Sequence, residues 1–160
     1  MSKNTPIPRG FLKNPIHLLP LGFGTGCAPI MPGTIGSLVG ILFYLPMQIL
    51  SWPFYMGVTV VLFSLGVWLC DVTARHLGVH DHGGIVWDEI VGYLITMTAV
   101  PSDWRFMLLG FALFRLFDIW KPWPINWLDR KLSGGLGIMS DDVLAGIYAL
   151  IVLQIIINLL

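Results

Sequence analysis

Residues 80–93 read HDHGGIVWDEIVGY, and this stretch decides how the rest of the chain is understood. Asp81, His82, Asp88 and Glu89 stand against the start of an apolar segment, in a chain that elsewhere avoids charge. Unpaired carboxylates at the mouth of a helix entering lipid cost several kcal/mol, so an adjacent pair needs cations, a metal or water beside it. Asp88 and Glu89 are therefore candidate functional residues from the outset.

Around this stretch the composition is that of a membrane protein. Of 160 residues, 56% are hydrophobic and 11% charged, with a mean hydropathy of +0.79, where a soluble domain carries roughly 25% charged residues. The expectation is an all-α fold: a small polytopic bundle of about five apolar helices in one domain spanning residues 1–160. Nine Lys and Arg balance nine Asp and Glu, so no bulk field draws in nucleic acid. Cys27 and Cys70 are too few for a disulfide framework or a zinc site. A thiolate phosphatase would need Cys-x5-Arg, and Cys70 reaches Arg75 one residue too soon.

Residues 1–14 carry Lys3, Arg9 and Lys13 and read as a basic cytoplasmic tail. The following PIHLLPLGFGTGCAPIM is broken by Pro15, Pro20, Gly22, Gly24 and Gly26, which rules out a helical signal core and predicts a re-entrant or interfacial segment. PGTIGS, residues 32–37, leads into the first apolar run, with Thr34 as its expected cap and Thr34 or Ser37 as candidate phosphate contacts. Apolar runs are read at 35–50, 54–70, 87–100, 106–120 and 143–160. Most are short of the roughly 20 residues that cross a bilayer squarely, so thinning or burial among neighbours is anticipated. Residues 71–87 and 121–142 read as polar loops, with SGGLG at 133–137 as a turn and His76 and His80 as ordinary loop residues. Trp120, Trp123 and Trp127 read as an interfacial belt.

Five spans with the basic tail inside put both polar loops inside too, with Arg75, Lys121, Arg130 and Lys131; the outside turns hold Arg105. Positive charge and polar clustering thus select the same face. Asp88, Glu89, Asp118, Asp141 and Asp142 all fall at that face. Hard carboxylate oxygens without cysteine suit Mg2+, while Arg115, Lys121 and His82 offer donors to phosphate oxygens. Arg115, Asp118 and Lys121 follow one another at three-residue spacing, a plus-minus-plus ladder on one helix face. The combination describes a phosphoryl-transfer pocket at a lipid surface. Simpler readings stand beside it: a structural ion pair for Asp118, and helix capping for Asp141 and Asp142.

At these residues a resemblance enters. GFGTGCAPIMPGTIGS, HDHGGIVWDEIVGY, FRLFDIWKPWPINWLDR and GGLGIMSDDVLAG, in that order between about Pro15 and Gly146, closely resemble the bacterial phosphatidylglycerophosphatase A family. The resemblance implies a Mg2+-dependent lipid phosphatase of the bacterial inner membrane, converting phosphatidylglycerophosphate to phosphatidylglycerol and inorganic phosphate. Asp88, Glu89, Asp118, Lys121, Asp141 and Asp142 lie within the matching motifs. The resemblance assigns no roles; our own reading gives the metal to Asp88, Glu89 and Asp142 with Asp141 beside them. Arg115 and Lys121 then steady the phosphate oxygens, Asp118 acts as base or nucleophile, and His82 protonates the leaving oxygen.

Two rivals are weaker. A CDP-alcohol phosphotransferase shares Arg75, Gly84 and Asp88 by spacing, but Val67, Cys70 and Gly92 stand where its other acids belong. An ion-coupled transporter would place acids at midspan or repeat its halves, and the sequence does neither.

Overall fold

The computed structural model describes residues 6–79 and 82–159. His80 and Asp81 lie outside the described residues. Among the described residues every regular element is helical. The α-helices are α1 (Pro15–Leu18), α2 (Pro32–Met47), α3 (Trp52–Leu77), α4 (Trp87–Thr96), α5 (Trp104–Trp120), α6 (Ile125–Lys131) and α7 (Gly134–Leu159), with 3-10 turns at Arg9–Lys13 and Gly22–Cys27.

The five apolar runs fold as α2, α3, α4, α5 and α7, which differ in length and so in their reach across a bilayer. Only α3 and α7, 26 residues each, combine the length and hydropathy to span a bilayer among the described residues. At about 1.5 Å per residue, the ten residues of α4 reach only about 15 Å. This helix is instead the centre of the bundle. Trp87, Ile90, Val91, Tyr93 and Leu94 are all at most 2% exposed, with α2, α3, α5 and α7 packed around them. Its surroundings are tied by phenol and indole donors: Tyr55 to the Leu94 carbonyl at 2.7 Å, Tyr93 to that of Met107 at 3.2 Å, and Trp87 to that of Leu62 at 3.1 Å. The outer surfaces carry the apolar side chains left over, among them Phe54, Val61 and Trp68 of α3 and Ile151 and Ile155 of α7.

Two helices run well past their apolar cores. Hydropathy stops at Cys70, yet α3 continues through Asp71, Arg75 and His76 and closes at Gly78, whose left-handed φ of 67° lets the chain turn away. Similarly, the GGLG run is not a turn but the first turn of α7. Asp71 explains both extensions, because its carboxylate on α3 accepts the Gly135 N–H at 3.2 Å and so caps α7 from a different helix. Gly135 also lets the helices touch: a Cβ there would stand 1.7 Å from the Val67 carbonyl oxygen. Neither backbone can step aside cheaply. Gly135→Ala is expected to cost about 3 kcal/mol, read as a fall of about 10 °C in the thermal midpoint in detergent; an unchanged midpoint would contradict this contact.

The N-terminal segment forms no continuous helix, as its Pro and Gly content requires. Leu21 is fully buried, and the Val86 N–H donates to the Pro20 carbonyl at 2.8 Å, anchoring the segment to the entry of α4. His17, stacked on Phe11, bonds Thr73 at 2.9 Å and shares a 3.0 Å ring-nitrogen contact with His76. Burial, and then the neighbouring His76, lower the His17 pKa below its ordinary value. His76 is thus a helix residue pinning the N-terminal segment, not a loop residue.

Candidate active site

The cleft is built where the start of α4, the end of α5 and the second and third turns of α7 meet. Asp88 and Glu89 occupy the first turn of α4. Asp141 and Asp142 lie seven and eight residues inside α7, too deep to cap it. The enclosed space is about 520 Å³ and is lined by Asp88, Glu89, Asp118, Lys121, Asp129, Asp141 and Asp142, with glycine and aliphatic walls. Asp129 sits in a stretch whose polarity predicts a loop, and α6 turns it into the cleft.

Glycines set the spacing of the acids. A Cβ on Gly146 would fall 2.5 Å from the Gly92 carbonyl, and one on Gly92 would fall 2.8 Å from that of Asp142. The Thr96 hydroxyl spans the crossing, donating to Gly92 at 3.0 Å and lying 3.4 Å from the Gly146 carbonyl. Asp88 is one turn before Gly92 and Asp142 one turn before Gly146, so each acid stands a single turn from the tightest contact. Ligand oxygens of Asp88, Glu89 and Asp142 consequently lie within 4.8 Å of one another. At an effective dielectric of about 20, two full charges at that distance repel by about 3 kcal/mol. Such a group keeps its full charge only with countercharge beside it, and otherwise takes up protons.

The protein supplies part of it. Arg115 pairs with Asp118, and its Nη1 is 4.0 Å from Glu89 Oε1. Lys121 Nζ lies 2.5 Å from Asp141 Oδ2 and 3.4 Å from Asp129 Oδ1. Burial works against the Lys121 charge, but Asp141, with help from Asp129 and Asp142, more than offsets it and holds the ammonium above the ordinary lysine range. The expected ladder is therefore only half present. Lys121 leaves the helix at a left-handed φ of 45° and turns to Asp129 of α6 and Asp141 of α7.

Three other expectations need revision. Helix α2 begins at Pro32, so Thr34 is inside its first turn and Met31, in left-handed conformation, precedes it; no side chain caps this end. Ser37 is fully buried and spends its hydroxyl on the Gly33 carbonyl at 2.9 Å, which removes it as a phosphate contact. His82 is 4% exposed, accepts the Gly84 N–H on Nδ1 at 3.0 Å, and lines a neighbouring cavity separated from the acids by Gly83. That position gives it no direct seat at the acidic cleft.

The donor set fits a hard divalent cation. Six carboxylates line the cleft against two cations, Lys121 and the adjoining Arg115. The buried side-chain polar atoms without a hydrogen-bond partner among the described residues are Thr34 Oγ1, Glu89 Oε2, Arg115 Nε, Asp141 Oδ1 and Asp142 Oδ1. All belong to the cleft or, for Thr34, to the residue after Gly33, whose Cβ position lies 2.2 Å from Glu89 Oε1 and 3.2 Å from Arg115 Nη1. Orphaned buried oxygens are costly and rare, and their concentration here marks a site built for a further partner.

The comparisons with known proteins agree with the geometry. Residues 18–157 match the family model described as phosphatidylglycerophosphatase A. A phosphatidylglycerophosphatase A of Escherichia coli (strain K12) is 52% identical over 137 residues, covering 85% of this chain and 80% of that protein. One of Haemophilus influenzae is 51% identical over 154 residues, covering 95% of this chain and 94% of that protein. No solved structure matches. With the match covering most of its length, including every acid of the cleft, the chain belongs to the phosphatidylglycerophosphatase A family.

Proposed function

We propose that this protein hydrolyses the terminal phosphate of phosphatidylglycerophosphate, giving phosphatidylglycerol and inorganic phosphate, with Mg2+ as cofactor. The observation that carries the reading is the group Asp88, Glu89 and Asp142, in which Glu89 Oε2 and Asp142 Oδ1 have no hydrogen-bond partner among the described residues, beside Arg115 and Lys121. Asp88, Glu89 and Asp142 would hold Mg2+, with Asp141 next to them; a cation there would neutralise phosphate charge and polarise the ester.

The chain's own groups do the rest. Arg115 has its Nε unpartnered, and together with Lys121 it offers donors to the non-bridging oxygens. The Thr34 hydroxyl, unspent on the helix, adds a neutral donor. Asp118, held by Arg115, accepts the proton of the water that attacks phosphorus and returns it to the glycerol oxygen as the P–O bond to glycerol breaks. Alternatively it attacks phosphorus itself and expels that oxygen, water then cleaving the aspartyl-phosphate to release phosphate.

The lipid substrate implies a bilayer, and the apolar outer faces of α3 and α7 support one. We place the bundle in the bacterial inner membrane as a multi-pass protein with the cleft at the cytoplasmic face. Arg75, Lys121, Arg130 and Lys131 gather at the cleft end, whereas Arg105 stands at the opposite end of α5. Diacyl chains then stay in the membrane while the headgroup enters the cleft.

The test is phosphate release from phosphatidylglycerophosphate by the purified protein in detergent or vesicles. Release is expected with Mg2+, to fall to background with a chelator, and to return on adding Mg2+ back. Release indifferent to chelation would remove the metal; no release at all would remove the reaction.

A further inference from the structure

We propose that α6, with Trp123 before it, is a docking site for the headgroup of an anionic phospholipid, which holds substrate lipid beside the cleft before its phosphate enters. This rests on the reading of the cleft as a lipid phosphatase. The helix has two faces. Ile125 is fully buried and Asp129 reaches Lys121 in the cleft wall. Trp127, Arg130 and Lys131 face outward and, with Trp123 and Asn126, line a separate concavity of about 400 Å³.

Its walls are almost wholly apolar, with cations carried on the same short helix as the indoles, as at a membrane surface. Trp123 is 80% and Trp127 50% exposed, an arrangement costly in water and favourable at the bilayer surface. Lys131 Nζ sits 4.9 Å above the Trp127 ring, and among the described residues neither Arg130 nor Lys131 is paired with a carboxylate. Free cations flanked by indoles suit a phosphate at the membrane surface. The cleft explains the need: its excess of carboxylates repels an anionic lipid on approach, and two unpaired cations on the outer side of the same wall reverse the local field. Charge complementarity thus selects an anionic lipid over a zwitterionic one.

The test uses the full chain in phosphatidylcholine vesicles containing a small fraction of phosphatidylglycerophosphate, with two readouts. For Arg130→Gln with Lys131→Gln, KM in surface mole fraction is expected to rise about tenfold with kcat kept, the difference shrinking at high salt. The charge-conserving pair Arg130→Lys with Lys131→Arg keeps the wild-type KM. Independently of turnover, detergent-purified wild type retains phosphatidylglycerol over phosphatidylcholine by bound-lipid mass, and the glutamine pair loses that preference. Equal KM and equal retention in wild type and the glutamine pair overturn the docking site and leave the reaction standing. Retention by wild type without any phosphate release supports the site while the reaction fails. Preferential binding of an acidic polypeptide over lipid also overturns the proposal.

Discussion

Replacing Asp142 by asparagine is expected to lower phosphate release on the order of 10³-fold while leaving the fold intact. The size follows from charge: a metal-held phosphate gains several kcal/mol in the transition state, and each 1.36 kcal/mol is tenfold in rate. Asp142 is 3% exposed and supplies one of three oxygens in the group. Its loss removes one charge of the group, and the adjoining Asp141 already has its Oδ2 on Lys121. Stability moves differently from activity. Without Mg2+ the variant relieves repulsion among carboxylates within 4.8 Å, so it is expected to unfold no earlier than metal-free wild type. Adding Mg2+ then stabilises wild type, by about 2.7 kcal/mol at a hundredfold excess over Kd, and leaves the variant unmoved. Wild-type turnover by Asp142→Asn, or its collapse without metal, would defeat the assignment.

Gly33→Ala is the second large effect, and nothing chemical is removed. The added Cβ would stand 2.2 Å from Glu89 Oε1 and 3.2 Å from Arg115 Nη1, the ends of two flexible side chains. Unlike at Gly135, where backbone blocks the way, the side chains can yield. The helix itself gains from alanine, by up to about 1 kcal/mol. Expected is a thermal midpoint equal to or above wild type with turnover reduced about 10²-fold, the penalty for reacting groups displaced by about 1 Å. Turnover within a factor of two of wild type would mean that α2 does not shape the cleft.

The acids were legible from sequence because burying a carboxylate beside lipid is expensive, and few positions in this chain accept the cost. Asp88, Glu89, Asp118, Asp141 and Asp142 do line one cleft. Helix ends were not legible, for a physical reason. Hydropathy reports what faces apolar surroundings, whereas α3 and α7 are extended by a side-chain cap between helices, Asp71 to Gly135, which no local pattern encodes. The same blindness hid Asp129, whose orientation depends on α6 docking against α7. Ser37 is a polar residue near the right motif whose hydroxyl closes locally on Gly33, and His82 lines a neighbouring cavity and not the acidic one. Residues 87–100 read as a crossing because burial by neighbouring helices and burial by lipid select the same residues.

The meeting of Gly92 and Gly146 gives this protein a property that side-chain packing alone would not. Because main chain touches main chain at that crossing, the distance between the backbones that carry the acids of α4 and α7 is inherited from the polypeptide and owes little to whichever lipids happen to surround the bundle. The spacing of the two backbones that carry those acids is a dimension of the scaffold itself.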